Sequence, residues 1–157
     1  MSRMLVFDIE TDGLLEDLTL IHCGVAKDIK TKEVFTFGPD KILDLFQLLN
    51  YNVVIGHNII SFDIPALEKC LERTLKPSMV VDTLVMSRVL NPDRERPEGT
   101  PARVGPNSLE SWGHRLGFQK GGIDTFDLYS EAMLQYCVRD VDLTEKVYFA
   151  LLEEMKS

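Results

Sequence analysis

Leu5-Val6-Phe7-Asp8-Ile9-Glu10-Thr11-Asp12-Gly13 decides how this chain is read: an apolar run that must be buried ends in two carboxylates one residue apart. Side chains alternate along a strand, so Asp8 and Glu10 share a face and Ile9 points to the other. Two carboxylates a few ångströms apart repel, and neither stays ionised cheaply without a cation between them. A divalent ion with oxygen ligands, Mg²⁺ or Mn²⁺ rather than zinc, answers that problem. The pair therefore points to metal-dependent phosphoryl transfer. The competing reading is a solvated strand end before an Asp12-Gly13 turn. With 13 Asp and 12 Glu in the chain, about one Asp-x-Glu is expected by chance. A second does occur, at Asp93-Arg94-Glu95, but no apolar strand precedes it. Context singles out the first.

Outward from that strand, residues 18–27 and 32–37 read as two more strands, with Asp28-Ile29-Lys30-Thr31-Lys32 as a hairpin turn. Ile42, Leu45, Phe46 and Leu49 recur at helical spacing over 41–50. Val53-Val54-Ile55 is a short buried strand entering Gly56-His57-Asn58. A helix over 63–75 follows, with Pro65 in its first turn, where a missing N–H costs nothing. Met79-Val80-Val81 is another strand and 83–90 another helix. Antiparallel strands first, then strands alternating with helices, predict an α/β fold: a mixed sheet flanked by helices. From Ser130, a good N-cap, to Met155 runs one long helical pattern without Gly or Pro. Tyr136 and Asp140 lie on one face of it, and Asp142 points elsewhere.

The length of 157 residues predicts a single domain. Residues 91–107 hold four of the seven prolines, and their arginines and acids cancel, which reads as a mobile surface loop. No apolar run approaches the ~18 residues needed to span a bilayer, so no membrane association is expected. Cys23, Cys70 and Cys137 form no Cys-x-x-Cys pair and read as buried reduced thiols of a cytoplasmic protein. A net charge of −8 argues against a high-affinity duplex binder. It leaves room for an enzyme that holds a few nucleotides through metal ions.

Three pieces stand in order: Asp8-x-Glu10 on a strand, Asp63 opening a helix, and Tyr136-x-x-x-Asp140 on the last helix. Four carboxylates from distant segments can converge on two metal ions for in-line phosphoryl transfer. These residues resemble the DEDD superfamily of 3′–5′ exonucleases in its tyrosine-bearing branch. The resemblance rests on Phe7-Asp8-Ile9-Glu10-Thr11-Asp12-Gly13-Leu14, His57-Asn58-x4-Asp63-x-Pro65-Ala66-Leu67 and Tyr136-x3-Asp140-Val141-x2-Thr144. It is closer still to the exonuclease domain of family A DNA polymerases from short-tailed coliphages. His22-Cys23-Gly24-Val25, Asp82-Thr83-Leu84-Val85 and Leu109-Glu110-x-Trp112-Gly113 look like that subgroup.

The resemblance implies an RNase H-like fold and two divalent ions, Mg²⁺ or Mn²⁺, on Asp8, Glu10, Asp63 and Asp140. It implies Tyr136 and Glu10 orienting the attacking water, Leu14 wedged against the 3′-terminal base, and Thr11 and Asn58 contacting the terminal nucleotide. The implied substrate is the 3′ end of single-stranded or frayed DNA, in a bacterial or phage-infected cell. The implied setting is a free-standing enzyme or the partner of a separately encoded DNA polymerase subunit. Two other readings stand beside it: an exoribonuclease of the same superfamily, and a non-catalytic module that binds a strand end or a partner. Each residue also has a plain structural reading: Asp63 as a helix cap, Tyr136 as a core aromatic, Leu14 as core.

Overall fold

A computed structural model describes residues 2–118 and 122–157. The strands are β1 (Met4–Thr11), β2 (Ile21–Asp28), β3 (Val34–Phe37), β4 (Val53–Gly56) and β5 (Met79–Asp82), in the spatial order β3-β2-β1-β4-β5. β1, β2 and β3 pair antiparallel, and β1, β4 and β5 pair parallel. The helices are α1 (Ile42–Leu49), α2 (Ile64–Leu71), α3 (Thr83–Leu90), α4 (Leu109–Leu116) and α5 (Glu131–Met155). This is the expected mixed sheet with helices on both faces, and the parallel strands need that cover.

The sheet is sorted by the period-two alternation of β1. Leu5, Phe7 and Ile9 face one layer, where they pack with Leu45, Phe46 and Leu49 of α1 and Leu67 of α2. Val6 faces the other, with Cys23, Val25 and Ile55 beneath Cys137 and Val141 of α5. Gly24 explains how closely α1 approaches: a Cβ there would collide with the Leu45 side chain. The even-numbered positions of β1 thus look toward α5. Asp8 and Glu10 continue that row past the apolar part of the sheet.

Most element boundaries match those read from the sequence, with two differences of substance. The helix read as 63–75 ends at Leu71, where Glu72 turns left-handed at φ 52°. Ahead of it, residues 59–63 form a single wide π-helical turn. Such turns insert one extra residue per turn and leave no regular periodicity to detect. The 91–107 segment contains no helix or strand. Arg94 from it donates to the Ser87 carbonyl, to Asn107 Oδ1 and to Glu154 on α5. Arg94 and Arg115 each stack 4.9 Å from the ring centroid of buried Trp112. Trp112 is a buried packing anchor, its indole N–H donated to Ser87 Oγ. No helix among the described residues is long and apolar enough to cross a membrane.

Candidate active site

The carboxyl end of β1 is bent by a register shift against β2 between Glu10 and Thr11. A bulge of this kind re-aims side chains at a strand end. Asp63 arrives from the last residue of the π-helical turn and is 4% exposed. It makes no capping bond to α2. Its Oδ2 instead accepts the Ile9 N–H at 3.2 Å, which ties the start of α2 to the middle of the Asp8–Glu10 pair. The plain reading of Asp63 as a helix cap therefore fails. Asp140 comes from α5 and is buried beside them. Its backbone carbonyl accepts the Thr144 hydroxyl at 2.8 Å, one turn on.

The electrostatics show how closely these groups sit. Burial, then the charges of Asp8 and Asp140, push the Glu10 carboxyl from 4.5 up to about 10. Burial, then the charge of Asp8, hold Asp63 well above the carboxylate range, and the Ile9 N–H only partly offsets this. Four acids from three distant segments therefore converge. A metal-free cluster resists ionisation because each carboxylate makes the next more costly. One or two divalent cations would remove that penalty, and a donor set of carboxylate oxygens suits Mg²⁺ or Mn²⁺. Asp8, Glu10, Asp63 and Asp140 fit that group.

A fifth side chain enters the cluster. Cys137 Sγ lies 3.4 Å from the Asp8 carbonyl and 3.6 Å from Asp8 Oδ2. Ligand atoms of Asp8, Glu10 and Cys137 all fall within 4.8 Å of one another. Burial, a hydrogen bond with Cys23 and the charges of Asp8 and Glu10 push the Cys137 thiol well up. It stays protonated and acts as a donor to Asp8. Cys137 and Asp140 are i, i+3 on α5, so the same face that carries Asp140 brings the thiol in.

Around the cluster are two open pockets. The first, about 340 Å³, is lined by Glu10, Thr11, Leu14, Phe62 and Phe126, among others. Leu14 stands 74% exposed at its edge rather than in the core. Thr11 is held by its own turn, its hydroxyl donating to the Gly13 carbonyl at 2.7 Å. Tyr136, one helical turn before Asp140, meets Phe126 edge-on with ring centroids 6.0 Å apart. Phe126 is in turn fixed by buried His22, whose Nε2 donates to the Phe126 carbonyl at 2.6 Å.

The second pocket, about 420 Å³, contains Asn58 with His57 and Arg88. Asn58 adopts φ 65°, a left-handed conformation that asparagine tolerates better than most residues. Its N–H and that of Ile60 donate to the two oxygens of buried Asp82. Asp82 also caps α3 through the N–H of Leu84. The residues singled out from sequence thus divide into the cluster of Asp8, Glu10, Asp63 and Asp140, the first pocket with Thr11, Leu14 and nearby Tyr136, and the second with Asn58. Phe62, Phe126 and Cys137 are the site residues to which sequence reasoning gave no role in the site, and Asp82 entered only through a motif of the resemblance.

The five-stranded mixed sheet with helices on both faces, and acids gathered at the carboxyl end of its central strand, has the RNase H-like fold. Comparison with known proteins finds relatives of two kinds. The chain is 31% identical to the DNA-directed DNA polymerases of Escherichia phage T7 and Enterobacteria phage T3, in alignments that take in 98% of this chain. It spans only 27% of the length of those polymerases. Among solved structures, Brucella melitensis NrnC bound to pGG superposes with a TM-score of 0.73 at 16% identity, over 99% of this chain and 74% of that one. Escherichia coli RNase D, an exoribonuclease involved in structured RNA processing, gives 0.63 at 14%, over 99% and 40%. No protein-family model matches. The solved structures share the RNase H-like fold of this chain.

Proposed function

We propose that this chain is a metal-dependent 3′–5′ exodeoxyribonuclease that releases nucleoside 5′-monophosphates from single-stranded or frayed DNA ends. The observation that carries the reading is the meeting of four acids beside a pocket edged by an exposed leucine and two phenylalanines. The acids suit the phosphodiester and the pocket suits a base. Bound divalent ions would supply charge neutralisation at the phosphate and a more acidic water. Asp8, Glu10, Asp63 and Asp140 would hold them.

The remaining roles belong to the chain's own side chains. The phenol of Tyr136, a turn from Asp140, would position the attacking water together with Glu10. Leu14 would press on the 3′-terminal base from the pocket edge, with Phe62 and Phe126 as the walls. Thr11 would meet the terminal nucleotide. A cluster this buried admits a single flexible end more readily than a paired one, so fraying has to come from the substrate. With a net charge of −8, the grip on duplex would come from a partner, a DNA polymerase. The 31% identity to two phage DNA polymerases supports DNA as the substrate.

The experiment is digestion of end-labelled DNA and RNA strands, single and paired, in Mg²⁺, Mn²⁺ or EDTA. Stepwise loss from the 3′ end of single-stranded DNA, abolished by EDTA, is the expected result. Faster loss from RNA would move the reading to an exoribonuclease. No hydrolysis in either metal would leave a strand-end or partner-binding module.

A further inference from the structure

The pocket at Arg88 is not accounted for by the terminal nucleotide. It opens where β4 and β5 end, and Asn58, Leu84, Arg88, Pro106, Ser108 and Leu109 contribute to its wall. None of the residues lining it is acidic, in a chain where 25 acids face 17 lysines and arginines. Arg88 is its one arginine, and it makes no ion pair or side-chain hydrogen bond among the described residues. Arg94 and Arg115 nearby are both committed, to Trp112 and to backbone carbonyls. His57 is committed as well. Its Nε2 donates to the Asn107 carbonyl at 3.0 Å, and its Nδ1 lies 2.8 Å from Thr83 Oγ1. A guanidinium in one pocket with the apolar side chains of Leu84, Pro106 and Leu109 and the amide of Asn58 has the chemistry of a nucleotide seat.

The path between the pockets is short. Phe62 donates its N–H to the Asn58 carbonyl at 3.1 Å, so the two residues share one turn. Asn58 belongs to the Arg88 pocket and Phe62 to the pocket of Leu14. Asp63, the next residue, is in the carboxylate cluster. The parallel register that pairs Val6 with Ile55 brings Asp8 and His57 to one level on neighbouring strands, about 5 Å apart in the sheet. A strand with its last nucleotide in the first pocket and its last linkage at the carboxylates therefore continues into the second.

We infer that the Arg88 pocket seats the nucleotide on the 5′ side of the cleaved linkage, with Arg88 as counter-ion to the second phosphate from the 3′ end. This inference rests on the exonuclease reading for its direction, and on the pocket for its chemistry. Contact with an exposed arginine is one charge-assisted hydrogen-bonding site, so its removal should slow cleavage roughly tenfold.

The test pairs a protein change with a substrate change. A short DNA strand is made with its second linkage from the 3′ end either native or as an uncharged methylphosphonate. Single-turnover cleavage of both is measured for the wild type and for Arg88→Met. Each change alone should slow cleavage roughly tenfold, and both together should slow it no further. Moving the methylphosphonate to the fifth linkage should remove the coupling. Fully multiplicative losses, or no effect of Arg88→Met, would overturn the assignment.

Strand binding in Ca²⁺, read by fluorescence anisotropy, repeats the cycle without turnover. There Arg88→Met should also flatten the dependence of log affinity on log salt by about 0.7. If the wild type cleaves nothing, the exonuclease reading fails by itself. The binding cycle then decides the pocket: the same coupling upholds it, and its absence removes it. Arg88 lies on the surface, so an unchanged melting temperature is expected of the variant.

Discussion

Two acidic residues five positions apart on α5 meet opposite fates. Asp140 joins a cluster of like charges in which burial and neighbouring carboxylates drive Glu10 up to about 10. Glu145, one and a half turns on, accepts from Lys27 and from Lys32, each at 2.8 Å. Burial alone would raise Glu145, but those two ammonium groups outweigh it and hold it below its ordinary value. Lys27 shows the mirror image: Glu145 and Asp142 overcome the cost of burial and raise it. The network at Glu145 is complete in the folded chain and stabilises it. The cluster at Asp140 runs the other way: burial and neighbouring carboxylates hold both Glu10 and Asp63 above the carboxylate range. Groups shifted this way by burial and like charge gather at functional sites.

The largest expected effect breaks the cluster. Asp8→Ala or Asp140→Ala should cut single-turnover hydrolysis by about a thousandfold or more, since bound metal contributes several kcal/mol at the transition state. Thermal melting in EDTA should hold or rise, because one repelling charge is gone. Near-normal turnover in Mg²⁺ would remove these residues from the site.

Metal and pH sharpen the contrast next. Glu10 has a folded-state value above its unfolded one, so its contribution to stability is full below 4.5 and lost as pH rises toward about 10. Glu145 has the opposite sign: its contribution is present above 4.5 and lost as pH falls through its depressed folded value. In EDTA, stability should therefore decline from pH 5 to 9. Saturating Mg²⁺ should flatten that decline and add about 2.7 kcal/mol at a hundredfold excess over its Kd. A melting profile in EDTA that rises across this range would contradict the cluster.

On the other side of the comparison, Glu145→Gln should destabilise by about 1–3 kcal/mol, because the partly buried Lys27 keeps only Asp142. Denaturant titration reads this, and the cleavage rate per folded molecule should not change. Tyr136→Phe should give the smallest loss, roughly tenfold in single-turnover rate with metal affinity preserved. Loss of metal binding, by calorimetry, would show that the phenol does more than position water.

Much of this contrast was legible in the sequence, and for identifiable reasons. An apolar strand ending in Asp8-x-Glu10 and a 25-residue helix without Gly or Pro carry strong periodic signals. Their meeting follows once alternation puts Asp8 and Glu10 on the α5 side. Asp63 was recognisable only by its spacing from His57-Asn58, because the turn that delivers it has no regular period. Phe126 sits in an irregular stretch before α5 and has no local pattern to announce it. Cys137 could have been found, since i, i+3 from Asp140 was visible; a thiol among hard-ion ligands simply matches no familiar donor set. The inward reach of Arg94 was hidden by neighbouring acids that made the segment look balanced and solvated.

Asp82 has a consequence in time rather than in energy. One carboxylate anchors the amides of Asn58, Ile60 and Leu84, and so clamps the turn that leads to Asp63. Those amides should exchange with deuterium slowly even in EDTA, on the timescale of larger openings rather than of loop motion. A scaffold that is stiff before any ion arrives presents its oxygens in place. Binding would then be limited by dehydration of the ion, with no wait for the chain to rearrange.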